Sequence, residues 1–215
     1  MMRRRQLIRV FVGALAVGVF RRVLPVRAQS ADDTEQPPFI LEYDGQTLAA
    51  SRDFEATGLR PGALTFDFTV LDFEREKDAK AAFVEIDENF LGDLGAFRDM
   101  EFYDTTEASA PKAGDERAGQ VTKAMLEDTE VLFGLLVVRD GQRVHVWGAI
   151  GLGDPYVELA AVAEAVFARD LETPVPAEGT PQATANLLAL LPELDDLPAG
   201  FTMAEEKVRR PGDDD

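Results

Sequence analysis

His145 and Trp147 are the only histidine and the only tryptophan in the 215-residue chain, and they stand two positions apart. With no cysteine available, proton transfer through His145 would need a serine nucleophile and an orienting acid. Beyond residue 28 the serines are Ser30, Ser51 and Ser109, and none lies in the glycine-flanked turn of a nucleophile elbow. A zinc centre takes several His or Cys ligands, more than one histidine can supply. Asp195-Asp196 and the terminal Asp213-Asp214-Asp215 lack the spaced oxygens and central glycine of a calcium loop. The stretch GAIGLGDPY resembles a phosphate loop only superficially. Asp154 would put a carboxylate where the phosphate sits, and Pro155 removes an N–H donor. Glu85 and Glu88 belong to the solvent side of an expected helix, a poor arrangement for a glycosidase pair. The residues therefore point to no catalytic centre, no metal and no cofactor. What they offer is a row of Arg143, His145 and Trp147 on one face of a strand, cationic at one end and aromatic at the other, suited to a ligand or a protein partner.

The elements that would carry this row follow from the pattern of apolar residues. Asp140-Gly141 between two apolar runs predicts a β-hairpin with a type I′ turn. A two-residue turn there pairs Arg139 with Gln142, Val137 with Val144 and Leu135 with Val146, with Phe133 on the same core-facing side. The opposite side pairs Val138 with Arg143, Leu136 with His145 and Gly134 with Trp147. An indole over a glycine gives Trp147 a structural purpose as well. ALTFDFTVLDF (63–73) alternates with a period of two and predicts a half-buried strand led by Leu64, Phe66, Phe68 and Val70. Residues 74–91 change to a helical period, with Ala79, Ala82, Phe83, Ile86 and Phe90 on one stripe and Gly92 as the stop. A second helix follows GLGDPY, capped by Asp154 and Pro155, with Leu159, Val162, Ala163, Val166 and Phe167 as its buried stripe. Residues 39–48 read as a small hairpin, 97–104 as a short strand and 105–123 as a long loop or irregular strand.

The ends of the chain read differently. Arg3, Arg4 and Arg5 precede an eleven-residue apolar run, Val10 to Phe20, and Val26-Arg27-Ala28 offers a cleavage point. That order predicts an export signal over 1–28, too short in its apolar part for a stable transmembrane helix after processing. Residues 29–38 form a polar lead-in, 39–172 the folded domain, 173–183 a Pro-rich linker, and 184–215 a short helix followed by an acidic disordered tail. Seven of the 22 basic residues lie in the first 28 positions, which hold no acid, so the remainder carries 15 basic against 40 acidic residues, a net −25. Such a field disfavours nucleic acid and anionic membranes as partners. With no cysteine, neither a lipid anchor nor a disulfide can hold the exported protein.

Two resemblances add to this. RRQLIR (4–9) resembles a twin-arginine export motif, with Leu7, Ile8 and Arg9 in place of its usual Phe, Leu and Lys, which implies an extracytoplasmic destination: periplasm, cell envelope or medium. The element order, with LPELDDLPAGF near the C-terminus, resembles small exported α+β domains of bacteria that have a PsbP-like layer of sheet and helices. That resemblance implies a fold and no shared activity. The expectation is an α+β domain in β-α-β-β-β-α order: an antiparallel sheet of about four to five strands, two amphipathic helices on one face, and the Arg143–His145–Trp147 row on the open face. In function this is an exported non-catalytic binding or sensing module, or else a structural module that docks an envelope protein.

Overall fold

A computed structural model of the chain describes residues 42–98, 101–126, 129–169 and 181–212. The export segment 1–28, the lead-in 29–38 and most of the Pro-rich stretch 173–183 lie outside these residues. The strands are β1 (Gln46–Ala56), β2 (Ala63–Phe73), β3 (Phe102–Glu107), β4 (Glu116–Leu126), β5 (Thr129–Asp140), β6 (Arg143–Gly151) and β7 (Phe201–Arg209). The helices are α1 (Glu76–Arg98), α2 (Tyr156–Phe167) and α3 (Pro181–Leu188), with a short 3-10 turn at Leu194–Asp196. All seven strands form one antiparallel sheet in the order β3-β4-β5-β6-β2-β1-β7. No helix among the described residues is long and apolar enough to cross a membrane.

Two features correct the expected architecture. The sheet has seven strands rather than four or five, because β1, β4 and β7 come from stretches with no apolar alternation. β7 lies beyond the Pro-rich stretch, inside the segment expected to be a tail, and pairs with β1 from Ala49↔Arg209 to Ala56↔Phe201. The long helices also do not share a face. α1 lays Ala79, Ala82, Phe83, Ile86 and Phe90 against Leu71, Phe73, Leu135, Val137, Val144 and Val146. α2 and α3 lay Leu159, Val162, Val166 and Leu187 against Phe66, Phe68, Leu136, Val138 and Trp147 on the other side. The central strands are thus buried on both faces, which is why β5 is apolar at nearly every position from Val131 to Val138.

The hairpin itself turns one position later than the dipeptide implied. Asp140 pairs with Arg143, so Gly141 and Gln142 are the two central residues. Only Gly141 has positive φ (57°), which makes the turn type II′ rather than I′. The register moves by two, an even number, so every side chain keeps its expected face while its partner changes. Trp147 faces Leu136 and His145 faces Val138. Gly134 is covered not by the indole but by the start of α2, since a Cβ there would lie 3.2 Å from the Tyr156 backbone.

Candidate functional site

β6 holds Arg143, His145 and Trp147 on one face, as the alternation required, but that face is the floor of a core. Trp147 is fully buried and His145 is 3% exposed. Phe167 at the end of α2 stacks on the indole at 5.3 Å and meets the imidazole edge-on at 4.9 Å. Phe68 of β2 closes the other side of the indole at 5.1 Å. Trp147 Nε1 and His145 Nδ1 are buried without a hydrogen-bond partner. Burial first, and the Arg143 charge second, push the imidazole down to about 3, so it stays neutral at any ordinary pH. Arg143, at the rim, is tied to Asp72 of β2 at 3.4 Å. The three residues are therefore brought together, yet the open sheet face expected around them does not exist: α2 covers it.

The residue that makes this cover possible is Gly119 on β4. The Tyr156 ring reaches across to it, and a Cβ at 119 would collide with the phenol oxygen. Burial pushes that phenol up to about 12, and its oxygen is enclosed without a partner. Asp154 acts as the expected cap, its Oδ1 accepting the Tyr156 N–H at 2.9 Å. Glu158, one turn on, accepts from Arg60 at 2.6 Å and from the Ala63 N–H at 3.0 Å, fastening the helix to the start of β2. Arg169 pairs with Asp196 of the 3-10 turn.

The surface that α2 leaves open lies on its outer flank. Ser109, Ala110, Pro111, Lys112 and Arg117 from the β3–β4 segment, with Ala160, Glu164, Phe167 and Ala168 from the helix, line a groove of about 660 Å³. Five of these residues are apolar, and the polar ones, Ser109, Lys112, Arg117 and Glu164, are exposed. Among the described residues, neither Lys112 nor Arg117 is joined to a carboxylate. Most of the other basic side chains are so joined, as expected where acids outnumber bases. Sequence reasoning passed over this groove because 105–123 has no period to reveal which residues approach α2. Among the described residues no group of His, Cys, Asp or Glu is arranged to hold a metal ion. No family model, curated protein or solved structure matches the chain.

Proposed function

We propose that this chain is an exported, non-catalytic α+β module that binds an anionic group in the groove between α2 and residues 109–117. The observation that carries this reading is the pair Lys112 and Arg117, two cations left without carboxylate partners beside five apolar residues in a chain of formal charge −18. An acid-rich surface repels anions, so two neighbouring cations without carboxylate partners are where an anion can be selected. The enclosure of His145 supports the non-catalytic part, because a neutral buried imidazole can neither reach a substrate nor exchange a proton with it. The export part rests on Arg4-Arg5 and the apolar run behind them, and exchanging both arginines for lysine should stop export if the twin-arginine route is used.

Phe167 joins the groove to the indole, lining one and stacking on the other. Binding in the groove should therefore change Trp147 fluorescence. Titration with simple carboxylates and with short acidic peptides should give a saturable signal that Lys112→Glu with Arg117→Glu abolishes. A signal undiminished in that double variant, or no signal from any acidic probe, would overturn the assignment.

A further inference from the structure

Ionised groups of like sign directly opposite one another weaken a sheet. This sheet contains such a row. Glu205 of β7 lies directly across from Asp53 of β1, and Asp53 lies directly across from Asp67 of β2. Asp53 is 4% exposed, and its Oδ1 is buried without a partner. Asp53 and Asp67 are register partners on one face of the sheet. Two ionised carboxylates are acceptors only and repel, whereas a proton on one of them lets it donate to the other.

Charged groups on β1 and β7 also act on Asp53. Lys207 on β7 attracts Asp53 but is itself engaged by Glu205 at 2.6 Å, and Glu55 on β1 adds repulsion. Thr69 of β2 donates to Asp67 at 3.4 Å. The row also coincides with the weakest point of the edge. β7 is the last strand of the sheet, only Phe201 of its side chains is buried, and its pairing with β1 slips between Asp53 and Phe54.

We propose that β7 is an edge strand latched by a proton: it stays docked while the Asp53–Asp67 pair holds one, and it releases the edge of β1 when that proton is lost. With the proton gone, three carboxylates face one another across adjacent strands, with Lys207 close to Glu205 and Asp53. Detachment of β7 removes Glu205 and opens Asp53 to water, where it ionises freely. Burial first and Glu205 second push Asp53 up to about 7 in the docked state, against 3.8 in water. Each pH unit between those limits should then raise the opening of β7 about tenfold, with a plateau above neutrality.

Hydrogen exchange of the full chain, read by mass spectrometry and corrected for the intrinsic effect of pH, tests this. Between about pH 4.5 and about pH 7.5, peptides covering 201–209 should lose protection at least tenfold while peptides of β5 do not. Asp53→Asn should hold β7 protected across the range. Should that variant fail to fold, Glu205→Gln leaves the buried pair intact and, by removing part of what raises Asp53, should bring in the plateau at lower pH and shrink the total loss of protection. Protection of β7 that does not change with pH in the unaltered chain, or that falls equally in Asp53→Asn, overturns the proposal.

Discussion

His145 and Asp53 are buried titratable groups that pull the stability of this protein in opposite directions as pH changes, and the two pulls should nearly cancel. The imidazole takes up a proton below about 3 when folded and at 6.5 when unfolded. The unfolded chain therefore binds more protons between those values, and stability falls as pH drops through that window. Asp53 is the reverse. Folded, it keeps its proton up to about 7, while unfolded it sheds it at 3.8, so stability falls as pH rises through that window. Each contributes about 1.4 kcal/mol per pH unit where it is active, and the windows overlap between 3.8 and 6.5. Urea unfolding of the unaltered chain should show no net slope from this pair there.

Replacing either residue uncovers the other. His145→Leu, similar in volume and without a titrating group, should lose about 3 kcal/mol relative to the unaltered chain's profile between about pH 4.5 and about pH 6.5. Asp53→Asn should gain about as much over the same interval. At neutral pH His145→Leu should also be no less stable than the parent, because it removes a buried nitrogen that has no partner. Comparing each variant with the parent at every pH cancels the contribution of the many surface acids. Variants that both parallel the parent from acid to neutral would refute the reasoning, because neither group would then differ between the folded and unfolded states.

Gly119→Ala should cost about 1–3 kcal/mol in the same assay, because its Cβ meets the buried Tyr156 phenol and the Ala108 carbonyl at 2.8 Å. Adding Tyr156→Phe, which deletes the nearest atom, should recover part of that loss, and a purely additive pair of effects would count against the contact. Arg139, 7% exposed, joins β5 to the first turn of α1 through Glu76 at 3.2 Å and to β4 through Glu116 at 2.6 Å. Arg139→Met should cost about 1–3 kcal/mol by urea unfolding, since its carboxylate partners keep access to water and only the bonds of the guanidinium are lost. A neutral effect would show that β4 is held without it.

The parts of this fold that were legible in the sequence are those in which one element buries one stripe. β2 alternates from Leu64 to Val70, although Thr65, Thr69, Leu71 and Phe73 on its other face are buried too and it is not the half-buried strand expected. α2 shows its apolar stripe and its Asp154 cap, and α1 shows the stripe that meets the sheet. α1 nevertheless runs on past Gly92, which does not take the positive φ by which a glycine ends a helix. β1, β4 and β7 were hidden because a strand shows a period of two only when one face is buried and the other wet. β1 carries the enclosed Asp53, β4 carries Gly119 under Tyr156, and β7 is an edge whose charges discourage further pairing.

The candidate site was legible only in part. Alternation assigned the faces of β5 and β6 correctly, even with the turn displaced by one residue, because the resulting register shift is even. Which face lay open was another matter. The signal for it was present in β5, where Leu136 and Val138 are as apolar as Leu135 and Val137, marking a strand with helices on both sides. The Glu205–Asp53–Asp67 row could not be seen at all, because it exists only once β7, from the far end of the chain, is placed in register beside the consecutive strands β1 and β2.

Trp147 is the sole indole, so acrylamide quenching of the native protein reads its surroundings without interference. If α2 seals this side of the sheet, emission should be blue-shifted and the quenching constant a small fraction of that of the urea-unfolded chain. A native indole quenched as readily as the unfolded one would mean that the Arg143–His145–Trp147 face is open after all, and binding would then belong there rather than in the groove beside Lys112 and Arg117.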